Sequence, residues 1–425
     1  MSSQAVDLII YNARQLCTMP LQDNGPQRGL RLGDVGMIED GAIAIHDGVI
    51  AAIGTSDEIC GMYYSATVLD VTNLVVTPGL IDPHTHAIWA GDRAAEFERR
   101  IAGATYQQLM AEGGGINSTV RQTRAADLAT LVDQAKPRLE RMMQNGTTTV
   151  ECKTGYGLEL HTELNMLNAI AILDAEMPLD LVPTFLGAHA VPPEYKYDAD
   201  AYVDLLVREI IPAVATWKAE HWPGHLFCDV FCEEGAFSVE QSRRILEAGQ
   251  MAGLGLKIHS DEFEALGGTR LAVELGATSA DHLVATSDEE IALLGQSNTV
   301  AVSLPCTPFG LGHHHYSRAT AMLQAGVAVA IATDCNPGTA WCENMQFVMA
   351  LATRYLRLTP AQALVCATVN AAFAIGRGGE IGTLAVGKPA DLVIWEIDDY
   401  RHLGYRFGSN LAKTVIKHGR VVFEQ

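Results

Sequence analysis

Two histidines separated by one residue close the apolar stretch Val76-Thr77-Pro78-Gly79-Leu80-Ile81-Asp82-Pro83-His84-Thr85-His86. On an extended strand alternate side chains share a side, so His84 and His86 would project together from its carboxyl end as a pair of imidazole ligands. Other apolar runs end in ligand-type side chains too. His189 follows Leu181 to Ala188, His259 follows Leu254 to Ile258, Asp334 follows Val327 to Thr333, and His282 follows Ser279-Ala280-Asp281. His84, His86, His259 and Asp334 offer imidazole nitrogens and a carboxylate, a set that suits zinc or ferrous iron better than magnesium or calcium. Such a cation, one per chain, would lower the pKa of a bound water and make hydroxide available near neutral pH. A neighbouring acid or base must then carry a proton to the leaving atom. Glu262, just beyond His259, is one candidate; Asp334 itself is another; His282 could act or could steady a carbonyl oxygen. Taken singly, each ligand is better read as a buried histidine or a capping aspartate, but the set on a common rim favours a metal centre, and Glu262 has a solvated first-turn glutamate as its lesser alternative.

A common rim requires elements that deliver these residues to one place. From about 76 to 375 the chain alternates apolar β runs with stretches of helical periodicity. The runs are the one ending at His84, Thr147 to Cys152, Leu181 to Ala188, Leu226 to Phe231, Leu254 to His259, Thr278 to His282, Thr299 to Leu304, and Val327 to Asp334. Between them apolar residues recur at helical spacing, as at Leu205, Leu206, Ile210 and Ile211 or at Ile245 and Leu246, and Ser238 before Glu240-Gln241 reads as a cap. Eight βα units imply an α/β protein with a closed parallel (β/α)8 barrel of the TIM type, whose catalytic groups gather at the carboxyl ends of its strands. All the ligand-type residues fall there.

Both ends of the chain have a different character. Leu8 to Tyr11, Gly41 to Ile45 and Val49 to Ile53 are β-rich runs punctuated by Asp47-Gly48 and Gly54, and Asp391 to Trp395, Thr414 to Lys417 and Arg420 to Phe423 repeat the pattern. We expect residues 1–75 and 376–425 to combine into one small β-sandwich domain beside a barrel spanning 76–375.

With 48% hydrophobic and 19% charged residues, the 425-residue chain has the composition of a well-packed globular enzyme. A formal net charge of -21 argues against nucleic-acid and anionic-membrane partners, and leaves a small-molecule substrate as the expected one. The first residues lack a basic segment followed by an apolar core, and no stretch is long and apolar enough to span a bilayer. Nine scattered cysteines, an odd number, suit reduced thiols in a cytoplasmic protein. Cys228 and Cys232 lack a second pair at zinc-site spacing and read as structural. A barrel of this size suggests a homodimer.

The segments Pro78 to His86, the His259 and His282 strands and Thr333-Asp334 together resemble the amidohydrolase superfamily. Narrower stretches resemble the branch that opens the cyclic amide of 4-imidazolone-5-propanoate to N-formimidoyl-L-glutamate in histidine degradation. They are Ile88 to Arg93, Gly113-Gly114-Gly115-Ile116, Glu151-Cys152-Lys153-Thr154-Gly155-Tyr156-Gly157-Leu158, Phe185 to His189 and Asp334-Cys335-Asn336-Pro337-Gly338-Thr339. The resemblance implies attack of hydroxide on the ring carbonyl and cleavage of the carbon–nitrogen bond. In that reading Arg93 holds the propionate through its fork, Tyr156 and His189 supply neutral hydrogen bonds, Glu262 stands at both substrate and chemistry, and Asn336, Gly338 and Thr339 shape the pocket. On spacing alone, Arg93 could instead form an ion pair with Glu96.

The nearest competing activity is deamination of a purine-like or pyrimidine-like ring, which uses the same metal set. A two-metal centre would need a bridging carboxylate, usually a modified lysine, at the fourth strand. That strand ends Phe231-Cys232-Glu233-Glu234, without lysine, which favours one metal and leaves Glu233 and Glu234 as the bridge candidates. A barrel scaffold without catalysis would lack ligands, and none is missing. His313-His314-His315 reads as a lid, an adventitious metal site or, best, a solvated turn. Cys335 is expected to point away from Asp334, as neighbours on a strand do.

Overall fold

The computed structural model describes residues 3–104 and 114–425. Gly113, the first residue of the glycine run named above, lies outside them. Eight parallel strands form the central sheet in chain order: β1 (Leu80–Asp82), β2 (Thr147–Lys153), β3 (Asp180–Ala188), β4 (Phe227–Cys232), β5 (Gly255–Ser260), β6 (Ser279–His282), β7 (Val300–Ser303) and β8 (Val329–Ile331). Each pairs with its sequence neighbour, and the sheet closes just beyond its strand ends, where Thr85 bridges Cys335. His86 N–H donates to Cys335 O at 2.9 Å and Asp334 N–H to His84 O at 3.1 Å. The seam of the barrel therefore runs through the segments that carry His84, His86 and Asp334.

Alternation along the strands divides the core in two. Val329 and Ile331 join Val150, Leu181, Val230 and Ile258 in packing outward against helices, including Leu139, Leu167 and Leu246. Ala328 and Ala330 share a separate cluster with Ile81, Val182, Phe227 and Val302, completed by Ala371, Ala374 and Ile375. The helices are those the periodicity predicts. Ser238 and Gln241 form a reciprocal capping box at the start of Val239–Met251. Leu206, Ile210 and Ile211 are buried on a helical run that contains a π-turn at Leu206–Ile210.

Both chain ends build the second sheet, in the order Arg420–Glu424, Ala412–Lys417, Leu392–Trp395, Val75–Pro78, Leu8–Cys17, Met37–His46 and Val49–Thr55, with Val68–Asp70 added on Leu8–Cys17. The hairpin between its last two members turns at Asp47 (φ 52°) and Gly48 (φ 74°), the left-handed pair that a tight hairpin demands. The long apolar run that ends at His84 is thus split: Val75–Pro78 belongs to the terminal sheet and only Leu80–Asp82 to the barrel. Gly79 makes the passage, since a Cβ there would stand 2.2 Å from Thr148 Oγ1 on β2. At the same amino-terminal rim Asp180, which begins β3, binds Lys417 of the terminal sheet at 2.9 Å and Arg377 at 2.7 Å. No helix among the described residues is long and apolar enough to cross a membrane.

Candidate metal centre and its pocket

His84 and His86 lie beyond β1 on the segment held by the Thr85 bridge, and both are buried. His84 Nε2 and His86 Nε2 each stand 3.5 Å from Asp334 Oδ1, and His259 Nε2 stands 3.4 Å from His86 Nε2. The structure therefore brings His84, His86, His259 and Asp334 to one point. His282, at the end of β6, also brings a ring nitrogen within 4.8 Å of nitrogens of His84 and His259, close enough for the three to share a cation. His84 Nε2 is buried and has no hydrogen-bond partner among the described residues. Such an orphaned nitrogen, facing a carboxylate and other imidazoles, fits a divalent cation. Burial pushes His84, His86 and His282 well below the usual histidine value, and neighbouring cationic groups add to this, so they are neutral donors. Asp334 (φ 53°) and His282 (φ 79°) hold left-handed backbone conformations that cost non-glycine residues energy, as residues at functional sites often do.

Behind the histidines lies a buried layer of charge. His84 Nδ1 is 2.6 Å from Asp281 Oδ2, and His259 Nδ1 is 3.0 Å from Asp229 Oδ2. The hydrogen bond to Asp281 selects the His84 tautomer that leaves Nε2 free, while Asp229 faces His259 at ion-pair distance. Lys153 Nζ donates to Asp229 at 2.8 Å and to Glu151 at 2.7 Å, and stands 3.8 Å from Asp281. Lys257 Nζ donates to Pro83 O at 3.0 Å and is also 3.8 Å from Asp281. Glu151 in turn accepts from Thr85 N–H at 3.1 Å, between the two histidines. Sequence reasoning named none of these residues as functional. Asp229, Lys153 and Lys257 do carry a signal, because a charged residue within an apolar β run is buried only when paired.

Glu262 Oε2 lies 3.6 Å from His282 Nε2. Burial, then the charges of Asp334 and Glu233, push its carboxyl well above the ordinary value. Burial likewise raises Asp334 to about 6, and Thr307 donates its hydroxyl to Asp334 Oδ2. Glu233 does not turn to the metal point. It accepts from Phe263 N–H at 3.0 Å, Glu264 N–H at 3.2 Å and Glu234 N–H at 3.0 Å, which fixes the turn that follows Glu262.

Tyr156 and His189 adjoin the histidines. His189 stacks on His86 with ring centroids 4.9 Å apart, and Tyr156 lies 5.3 Å from His189. His189 Nδ1 donates to Gly155 O at 3.1 Å, and burial drops its pKa to about 3, so the ring is neutral. Asn336 Nδ2 donates to Asp334 O at 2.7 Å, while its Oδ1 accepts from Gly338 and Thr339 N–H at 2.8 Å each. Arg93 does pair with Glu96, yet it remains mostly buried, and its Nε has no hydrogen-bond partner among the described residues. Its guanidinium approaches Gly338 so closely that a Cβ there would sit 2.5 Å from Nη1. Arg93, Gly338 and Thr339 line a cavity of about 370 Å³ with Phe97, Phe309 and Trp341. That cavity flanks the histidine cluster rather than containing it.

The remaining sequence features fall outside the centre. His313, His314 and His315 are exposed, and His313 packs edge-on to Phe263 at 6.4 Å. Cys335 is fully buried, but Asp334 beside it is left-handed rather than extended, so strand alternation is not what separates the two side chains. Cys228 and Cys232 are buried in the wall of β4.

Residues 75–422 match the model of the amidohydrolase family. The chain belongs to that family of barrel hydrolases. It is 53% identical over 418 residues to the imidazolonepropionase of Herpetosiphon aurantiacus, covering 98% of this chain and 97% of that protein. It is 50% identical over 422 residues to the imidazolonepropionase of Chloroflexus aggregans, covering 98% of both. Within the family it therefore stands among the imidazolonepropionases. The fold is also similar to that of an adenosine deaminase from Xanthomonas campestris solved with zinc bound, with a TM-score of 0.72 and 18% identity over 100% of this chain and 94% of that one.

Proposed function

We propose that the chain is a metal-dependent hydrolase that opens the ring amide of 4-imidazolone-5-propanoate to N-formimidoyl-L-glutamate, a step in histidine degradation. The observation that carries this reading is 53% identity over nearly the full length to an imidazolonepropionase. The geometry supports it, because His84, His86, His259 and Asp334 converge near the largely buried Glu262, and Arg93 lines a cavity that flanks them.

His84, His86, His259 and Asp334 would hold one divalent cation, zinc or iron(II). When bound, that cation supplies Lewis-acid polarisation and hydroxide near neutral pH. Arg93, oriented by Glu96, receives the propionate on Nε and Nη1. Tyr156 and neutral His189 hydrogen-bond the ring, and Asn336 braces the Gly338–Thr339 wall. As hydroxide adds to the ring carbonyl carbon, His282 hydrogen-bonds the developing oxyanion and Asp334 takes the proton of the attacking water. The carbon–nitrogen bond then breaks, and Glu262, kept protonated by burial, delivers its proton to the departing nitrogen. The former ring carbonyl becomes the new carboxylate of the product. The same reading includes a cytoplasmic setting and a homodimer, the latter checked by sedimentation.

The test is loss of 4-imidazolone-5-propanoate absorbance with appearance of N-formimidoyl-L-glutamate, run beside other ring amides and aminated purines and pyrimidines, with elemental analysis of the same sample. Selective opening of the imidazolone with one metal per chain is expected. Release of ammonia from an aminated ring, with the imidazolone untouched, would move the chain to the deaminases.

A further inference from the structure

Glu163 is fully buried in the first turn of the helix Leu160–Glu176, and the mechanism above gives it no role. Its Oε1 accepts the N–H groups of Gly157 and Leu158 at 2.8 Å each, and Gly155 N–H is 3.2 and 3.1 Å from its two oxygens. Arg124 holds the same turn from the other side. Its Nε donates to Gly157 O at 2.7 Å and its Nη2 to Leu158 O at 3.3 Å, while Nη1 is anchored on Glu194 at 2.6 Å. One carboxylate and one guanidinium thus satisfy backbone groups of a turn that no sheet or helix ladder could serve. The turn is held against its own preferences. Leu158 is left-handed (φ 52°), and a Cβ on Gly155 (φ 104°) would lie 2.8 Å from Leu186 O.

The turn carries Tyr156 between two of the anchored residues, and Gly155 O receives the Nδ1–H of His189. A carbonyl oxygen only accepts, so this bond fixes the tautomer of His189 with a bare Nε2, an acceptor for a ring N–H. We propose that Glu163, with Arg124, is a positioning residue for substrate binding. By clamping the Gly155–Leu158 turn it sets the place of Tyr156 and the tautomer of His189, and so selects a ring that presents an N–H donor. This rests on the reading of Tyr156 and His189 as substrate contacts.

The test uses metal-loaded wild type, E163Q and R124M. The amide of E163Q keeps one acceptor but turns a donor toward Gly155 N–H. Its expected effect is a KM for 4-imidazolone-5-propanoate raised by about tenfold, product binding weakened to match, and kcat changed less than about threefold, because Tyr156 and His189 hydrogen-bond the ring equally in ground and transition states. Amide exchange at Gly155, Gly157 and Leu158 should speed by about tenfold in the same variant. A merely structural role would lower Tm without that KM-against-kcat split. KM and product binding within about twofold of wild type in both variants would overturn the proposal. Should E163Q not fold, R124M, altered at the outer edge of the turn, carries the same expectation and the same refutation. Wild type that leaves the imidazolone intact would overturn the proposed function together with this role, whereas active wild type with unaffected variants would overturn this role alone.

Discussion

Asp281 Oδ2 lies 2.6 Å from His84 Nδ1 and 3.8 Å from both Lys153 Nζ and Lys257 Nζ. One buried carboxylate oxygen thus joins a candidate metal ligand to two buried cations. Burial raises the Asp281 carboxyl above its ordinary value, and Lys257 and Lys153 oppose that rise without cancelling it. Replacing Asp281 by Asn keeps the shape and removes the charge. We expect D281N to bind zinc or iron(II) about 10- to 100-fold more weakly, the usual cost of losing the outer partner of a ligating histidine. Competition with a chromophoric chelator measures it, and an unchanged affinity would show that Asp281 serves only packing.

Glu262 combines a raised carboxyl with a 3.6 Å approach to His282. E262Q is expected to lose about 10²- to 10⁴-fold in kcat while keeping its metal and its KM. Near-normal turnover would take Glu262 out of the proton transfer and leave Asp334 or His282 as the acid.

Arg93 is the cation on the cavity wall nearest Gly338. R93M is expected to raise KM about 10- to 100-fold, the worth of a charge-assisted bond to carboxylate of roughly 1.5–3 kcal/mol. R93K should recover little of this, since a lysine has no planar fork. An unaltered KM in R93M would mean that Arg93 serves only Glu96.

Asp180 links the two sheets through Lys417 and Arg377. Burial pushes its carboxyl up, but the two cations outweigh burial and hold it below the ordinary value. A carboxylate with a depressed folded pKa contributes fully above its unfolded pKa of about 3.9 and loses that contribution as pH falls through the folded value. We expect D180N to be less stable than wild type at neutral pH by about 1–3 kcal/mol, the cost of leaving buried partners unmet. The gap should narrow as the medium becomes acidic, because only the wild type loses this term. Urea midpoints across the acid range decide the matter, and parallel curves for the two proteins would refute it.

The barrel was legible because its evidence is local. Eight apolar runs with strand character, separated by helical periodicity and capped as at Ser238, define a parallel sheet whose strand ends face one way. His84, His86, His259 and Asp334 were legible for the same reason, since each ends such a run. The strand Val75–Pro78 was not, because no local property marks Gly79 as the passage between two sheets; Thr148 on β2 makes it one. Its position at the end of the fourth strand makes Glu233 a bridge candidate for a second metal, whereas its partners are backbone amides of the turn after Glu262.

Architecture and the types of the candidate ligands can be read along the chain, because periodicity and side-chain type are properties of neighbours in sequence. Which charges meet depends on contacts between distant parts of the chain. Lys153 finds Asp229 across 76 positions and His84 finds Asp281 across 197, and Glu163 takes three amides of a turn that it follows closely in sequence. A buried charge must be paired, but the barrel's closure, not the spacing, chooses its partner.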